Sequence, residues 1–509
     1  MTPRYLAGSF GLTMLVASLL AAQAPEPKRP DEAKPAAKPQ ERSALPTEPV
    51  VTKHRVEVDG KSIAYTATAG QMPIPNDQGE TEAHIFYVAY TRDDAGDRSK
   101  RPLMFSFNGG PGSASVWLHL GAVGPKRVDT PDAIIPPPPY RLIDNDQTWL
   151  DRTDLVFIDP VGTGYSRATK PELTKKFHGL QGDIQSIGEF IRMYLTRADR
   201  WGSPLFLVGE SYGTTRAAGL AGRLVERNGI AFNGIVLVST VLNFQTLHFD
   251  PGNDIPYALY LPTYTATAWY HKRLAPDLQR DLKSTLDASE KWAAGDYTIA
   301  LARGDQLPTA ERKAVVAELA RLTGLDTQYV NLSDMRIEPT RFRKELLRAE
   351  RKSVGRLDSR FVGVDASAVA ERPDFDPSMA AIRPPYTSTI NQYLRDSLGY
   401  KTDVPYYILG EGVGGWDWGL GGRQGYPETA SSLRDAMAQS PAMKVFVASG
   451  YFDLATPYAA TEYTFAHMDL APELRKNLRI EEYEAGHMMY VHPPSLAKLK
   501  RDVADFIDR

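Results

Sequence analysis

The chain contains no cysteine. This absence excludes disulfides, thiolate catalysis and cysteine-ligated zinc, and it leaves nine histidines as the available imidazole ligands. Net charge is almost absent too: −3 over 509 residues gives no electrostatic case for nucleic acid or for an anionic membrane surface. The His-Glu-x-x-His signature is missing, so no metal site is expected. With 42% apolar and 24% charged residues, the composition describes a globular protein with a substantial core and one or two domains. Nothing in it fixes an oligomeric state.

The N-terminus carries Arg4, then a mostly apolar run from Leu6 to Ala22 interrupted by Gly8, Ser9, Gly11 and Thr13, and ends in Ala22-Gln23-Ala24. The run is short for a membrane span and closes on an A-x-A cleavage signature, so residues 1–24 read as a secretory signal peptide and no stable membrane insertion is expected. Without a cysteine, lipoprotein anchoring is excluded. Residues 25–49 are rich in Pro, Ala, Lys and Glu without apolar periodicity, which reads as a disordered spacer. Export combined with zero cysteines fits a bacterial periplasmic or secreted enzyme better than a eukaryotic secreted one.

From Val50 the pattern changes to alternating strands, Arg55–Val58, Ser62–Thr68 and His84–Thr91, separated by turn residues, which predicts an antiparallel start to a sheet. Short continuous apolar runs follow at Pro102–Phe107, Asp154–Ile158, Pro204–Val208, Gly234–Ser239, Lys444–Ala448 and Leu478–Tyr483, as expected of parallel strands covered on both faces. Helical periodicity appears at Gln181–Arg197, Thr214–Asn228 and Ser495–Ile507. The fold class is α/β, with a mixed, mostly parallel sheet flanked by helices. About 200 residues separate the strands near Ser239 and Lys444, too many for a structureless loop. Helical stretches there (Pro276–Ala293, Ala310–Thr323, Thr340–Arg351) predict an inserted, mainly helical cap domain. The expected boundaries are a core first part at 50–243, the cap insertion with a substrate loop at 244–440, and a core second part at 441–509.

Gly209-Glu210-Ser211-Tyr212-Gly213 lies between a strand-like and a helix-like run, the setting of a nucleophile elbow; the bland alternative is a serine in a tight turn. A serine nucleophile needs a base, and the base needs an acidic partner. Asp453 and His487 follow in the order Ser, Asp, His, each just past a predicted strand. Separately, Asp453 could be a helix N-cap and His487 a satisfied histidine. One oxyanion donor is expected at the N–H of Tyr212, and the second in the glycine-rich loop Asn108-Gly-Gly-Pro-Gly-Ser113.

Asn108-Gly-Gly-Pro-Gly112, Asp159-Pro-Val-Gly-Thr-Gly-Tyr-Ser166, Gly209-Glu-Ser-Tyr-Gly213 and Ala485-Gly-His-Met488 together resemble the serine carboxypeptidase family, exopeptidases of the α/β-hydrolase fold. The likeness covers about 103–240 and 445–493. It implies Ser211 as nucleophile, His487 as general base and Asp453 as its partner, with Gly110 and Tyr212 as oxyanion donors. It further implies that Asn108, Gly109 and Glu210 bind the terminal carboxylate of a peptide substrate. For Glu210 this makes sense only when the side chain is protonated, which needs burial or a neighbouring carboxylate. Two departures stand out. Ala122 occupies the place of a family glutamate that helps hold that proton, and Ser113 stands where the loop often has cysteine. The first implies either an altered pH profile or a substitute carboxylate from the cap.

Gly410-Glu-Gly-Val-Gly-Gly415 formally satisfies G-x-G-x-x-G after the strand-like run Val404–Leu409. The following Trp416-Asp-Trp-Gly-Leu-Gly-Gly422 cannot open a helix, so no dinucleotide site and no cofactor are expected. Trp416 and Trp418 are candidates for a substrate subsite or for plain packing. The resulting expectation is an exported serine-type carboxypeptidase acting on peptides without metal or cofactor. An esterase or acyltransferase on the same scaffold is the alternative within enzymes, and an inactive binding protein the alternative outside them.

Overall fold

The computed structural model describes residues 45–419 and 425–508. The expected signal peptide and the spacer up to residue 44 lie outside the described residues. Residues 45–49, grouped with the spacer on composition, are described, and Leu45 packs against the core.

The main sheet is built from β1 (Val50–Val58), β2 (Lys61–Pro75), β3 (Thr81–Arg92), β4 (Leu103–Phe107), β5 (Asp154–Ile158), β6 (Leu205–Glu210), β7 (Gly234–Val238), β8 (Lys444–Gly450) and β9 (Leu478–Tyr483). A short strand, Arg167–Ala168, adds to the end of β3. The spatial order is β1-β2-β3-β5-β4-β6-β7-β8-β9. Pairing is antiparallel from β1 to β5 and parallel from β5 to β9. The chemistry of the strands explains the division. β1 alternates exposed residues with half-buried ones and, at Val56 and Val58, fully buried ones, as an edge strand with one wet face does, whereas β4, β5 and β7 are buried at every position.

Helices α1 (Leu180–Arg197), α2 (Tyr212–Asn228), α3 (Ile255–Tyr270), α4 (Leu282–Trp292), α5 (Thr309–Thr323), α6 (Pro339–Glu345), α7 (Pro377–Gln392), α8 (Ala430–Gln439), α9 (Tyr458–Ala466) and α10 (Pro493–Asp508) complete the frame. Along β7, Ile235 and Leu237 join the core beneath α1, α2 and α8, while Val236 and Val238 join the core beneath α7 and α10. Each such fully buried aliphatic side chain contributes about 1.5–3 kcal/mol, so the central strands anchor both layers.

The long segment between β7 and β8 is mainly helical, but its elements differ from the expected ones. α4 begins at Leu282 rather than Pro276, capped by Asp281, whose carboxylate accepts from Ser284 N at 2.8 Å. α6 stops at Glu345, well short of Arg351. α3 and α7 have no counterpart in the sequence reading. Val404–Leu409 is not a strand; it makes only single bridges, Tyr407 to Gly164 and Leu409 to Ser113. The packing of α3, α5 and α6 forms its own cluster, with Tyr264 stacked on Phe342 at 4.1 Å, and Leu454 of the second core part inserts into it.

Candidate active site

β6 ends at Glu210 and α2 begins at Tyr212, so Ser211 alone makes the turn. Its φ of 58° and ψ of −131° lie outside the regions that L-residues favour. Hydrogen bonds hold the strained residue: Ser211 N donates to Val238 O at 3.0 Å, and Thr214 N and Oγ1 donate to Ser211 O at 2.8 and 2.7 Å. The serine therefore sits at the N-terminus of α2, where unpaired N–H groups favour developing negative charge.

Asp453 lies just after β8 and is fully buried. Its Oδ1 is occupied by the N–H groups of Ala455 (2.7 Å) and Thr456 (3.0 Å), which leaves Oδ2 to His487 Nδ1 at 2.7 Å. Thr456 Oγ1 donates to the same Oδ2 at 2.7 Å and lies 3.2 Å from Nδ1. Burial disfavours a charged imidazole, but the charge and hydrogen bond of Asp453 outweigh it, so the pKa of His487 is held above its ordinary value.

Backbone contacts set the three loops against one another. Ser239 Oγ donates to His487 O at 2.6 Å, so the serine and histidine loops both lean on the end of β7. Residues 356–358 of the long insertion bridge the other two loops. His487 N donates to Leu357 O at 2.6 Å and Leu454 N to Arg356 O at 3.0 Å. Gly486 N donates to Asp358 Oδ2 at 3.2 Å.

The glycine-rich loop after β4 closes on the elbow. A Cβ on Gly109 would stand 2.4 Å from Tyr212 N, so the approach requires glycine. Neither Gly110 N nor Tyr212 N donates to a backbone carbonyl among the described residues. The loop is fixed from behind: Asp159 Oδ1 accepts from Ser115 N and Ser115 Oγ, both at 2.8 Å. Arg216, wholly buried, donates from Nη1 to Asn108 O at 2.6 Å and from Nε to Asp183 Oδ2 at 2.7 Å. Tyr212 Oη donates to that same Asp183 oxygen at 3.0 Å. One buried ion pair thus ties the Asn108 loop to the Tyr212 ring.

Asn108 Oδ1 accepts from Leu118 N at 3.0 Å, which orients the amide and leaves the buried Nδ2 without a hydrogen-bond partner. Nδ2 is nonetheless near enough to Glu210 to influence its ionisation. Glu210 is buried, and its Oε2 accepts from Tyr490 Oη at 2.7 Å. Burial pushes the Glu210 pKa up to about 7, and Asp453 adds to the rise. His487, Tyr490 and Asn108 oppose it. Among the described residues, the carboxyl that acts on Glu210 is Asp453, which lies after β8 and not in the insertion, and the side chain bonded to Oε2 is the phenol of Tyr490. Ala122 is buried, with its carbonyl accepting from Asn145 Nδ2 at 2.8 Å.

Trp416 and Trp418 pack edge-on against the Tyr212 ring at 5.3 and 5.8 Å, and Trp418 also meets Phe244 at 4.8 Å. Their segment straps the glycine-rich loop through Gly410 N to Gly112 O at 2.9 Å and Ala114 N to Ile408 O at 3.1 Å. Among the described residues no group of three or more histidine, aspartate or glutamate side chains could hold a metal ion.

The family model described as serine carboxypeptidase matches residues 63–492. The chain belongs to the serine carboxypeptidase family. Among curated relatives, the pheromone-processing carboxypeptidase KEX1 of Saccharomyces cerevisiae is 33% identical over 103 residues, 19% of this chain and 13% of that protein. Serine carboxypeptidase-like 36 of Arabidopsis thaliana is 29% identical over 150 residues, 28% of this chain and 29% of that protein. The matched region therefore spans less than a third of either relative. A crystal structure of KEX1(delta)p, a prohormone-processing carboxypeptidase from Saccharomyces cerevisiae, superimposes with a TM-score of 0.52 at 17% identity, covering 87% of this chain and 91% of that one. That likeness shows the α/β-hydrolase fold in this serine carboxypeptidase family member.

Four residues at the site escaped the sequence reading: Thr456, Asp183, Arg216 and Tyr490. Arg216 left a trace, a lone cation inside the otherwise uncharged stretch Tyr212–Gly222. Tyr490 left none beyond its position three residues after His487.

Proposed function

We propose that this protein is a serine-type carboxypeptidase that releases C-terminal residues from peptides through an acyl-enzyme. Ser211 attacks the last peptide carbonyl, and His487 takes the hydroxyl proton and returns it to the leaving amine. Asp453 holds the imidazole tautomer and favours the imidazolium. The N–H groups of Gly110 and Tyr212 receive the oxyanion, worth roughly 3 kcal/mol for each donor. Water then repeats the sequence on the acyl-serine. Asn108 Nδ2, the Gly109 backbone and protonated Glu210 grip the terminal carboxylate.

The observation that carries this reading is the pairing of an unpartnered buried amide donor with a buried carboxylic acid beside the nucleophile turn. An esterase or acyltransferase would leave both without a task. The long helical insertion is proposed to cap the site and, with Trp416 and Trp418, to select the leaving residue. Export through a signal peptide at residues 1–24, to a bacterial periplasm or medium, completes the proposal. Among the described residues no helix is long and apolar enough to cross a membrane.

N-blocked dipeptides, their C-terminal amides and simple esters, assayed from about pH 4 to 8 across the range in which Glu210 titrates, test the reading. Preferential cleavage of free acids supports it, and ester turnover without peptide cleavage favours the alternative enzyme. Failure of a serine-directed phosphonate to label Ser211 removes both.

A further inference from the structure

Glu210 is enclosed by groups from four parts of the fold. His487 and Asp453 act on it from the loops after β9 and β8, Tyr490 from the turn before α10, and Tyr386 from α7, where the charge of Arg127 also acts on the Tyr386 phenol. Of these, only Tyr490 makes a direct side-chain hydrogen bond, from Oη to Oε2 at 2.7 Å between two buried residues. The phenol is itself held far above its ordinary pKa by burial and by the neighbouring carboxyl, so it stays a donor throughout the working range. The neighbouring backbone has made room for this ring. A Cβ on Gly121 would stand 2.3 Å from Tyr490 Cε2 and 2.7 Å from Tyr386 Oη. Ala122, next in the chain, brings no charge of its own.

We propose that Tyr490 is the positioning residue for recognition of the substrate's terminal carboxylate. By occupying Oε2 as a donor, it leaves Oε1 to carry the proton and aims that proton, with Asn108 Nδ2, at the substrate anion. A second carboxyl would share a proton with Glu210; the phenol keeps its own proton, because burial holds its pKa far above that of the acid, and lends it to Oε2 only as a hydrogen-bond donor. Tyr490 therefore also favours ionisation of Glu210 and sets an alkaline limit on free-acid binding, above which two carboxylates would face each other. The inference rests on the reading that Glu210 binds that carboxylate.

The test measures binding of an N-acylated dipeptide and of its C-terminal amide to the full chain carrying Ser211→Ala, by calorimetry between pH 5 and 9. Tyr490→Phe removes only the hydroxyl. Losing a hydrogen bond to the charged form is expected to move the alkaline limit for the free acid upward by about one to two pH units. Loss of aim should weaken free-acid binding at pH 5 several-fold, with amide binding unchanged. Gly121→Ala, which crowds the same ring, should reproduce both effects. Adding Tyr490→Phe to Glu210→Gln should change nothing further, since the two act as one unit. If Glu210→Gln abolishes the alkaline limit while Tyr490→Phe leaves it in place, the role of Tyr490 is overturned and carboxylate recognition by Glu210 stands. If Glu210→Gln leaves the limit and the preference for the free acid intact, both fall. Equal weakening of acid and amide by Tyr490→Phe makes the residue structural and overturns the inference.

Discussion

Oδ2 of Asp453 lies 2.7 Å from His487 Nδ1, and Thr456 Oγ1 donates to that same carboxylate oxygen. With Oδ1 tied to two backbone N–H groups, the carboxylate cannot rotate, and the imidazole is held with Nδ1 inward and Nε2 outward. Asp453→Asn should leave the fold intact yet present the wrong tautomer. Its kcat is expected to drop about 10⁴-fold with little change in KM. Thr456→Val removes one donor worth about 1 kcal/mol, so its kcat should fall only about fivefold. Steady-state kinetics on a free-acid dipeptide checks both.

The approach of the glycine-rich loop to the elbow gives a second expectation. Gly109→Ala places a methyl where Tyr212 N stands 2.4 Å away, so either the loop or the first turn of α2 must retreat. That retreat misaims the N–H groups of Gly110 and Tyr212, and losing one such donor costs about 10²–10³ in kcat. Peptide and ester substrates should suffer alike, because both form a tetrahedral oxyanion. Far-UV circular dichroism should be unchanged.

Arg216 and Asp183 form a wholly buried ion pair whose partners extend to Asn108 O and Tyr212 Oη. Arg216→Ala strands Asp183 without its cation and is expected to cost about 3–5 kcal/mol of stability. The double variant Arg216→Met with Asp183→Asn should cost less than that single change, since neither partner is left as a buried unpaired charge. Urea denaturation curves of the parent and the two variants show whether the double change costs less than the single one.

What could be read from the sequence follows the range of the interactions. The central strands announced themselves because burial on both faces demands unbroken apolar runs, and Asp154–Ile158 has the boundaries its run suggested. Leu478–Tyr483 also has its expected bounds, but it is the edge strand of the sheet and is half-buried from Leu478 to Glu482 rather than covered on both faces. The positions of Ser211, Asp453 and His487 just past strand ends were legible for the same reason. α3 was not: it is apolar all round and carries Pro262, so it shows no 3.6-residue stripe. α7 holds Pro384 and Pro385 inside the helix, a pattern that argues against helix until Ile382, Tyr386 and Ile390 are seen buried in the core. The run Val404–Leu409 looked like a strand but serves as a strap, bonded at isolated points to the loops it crosses. The bond from Tyr490 to Glu210 joins residues 280 positions apart, and no local pattern could carry it.

Stability should record the buried acid independently of catalysis. Glu210 has its pKa pushed from an ordinary 4.5 up to about 7 by burial, so the folded state holds its proton after the unfolded chain has lost it. Below pH 4.5 both states are protonated and the group contributes no difference. Between pH 4.5 and 7 the folded state binds more protons than the unfolded one, so stability falls as pH rises. The loss saturates above pH 7 at roughly 3 kcal/mol. Glu210→Gln cannot ionise and escapes that loss. The melting temperature of the variant minus that of the parent is therefore expected to climb between pH 4.5 and 7 and to level off above it. A difference that stays flat across that interval would mean that Glu210 enters the folded protein with an ordinary affinity for its proton.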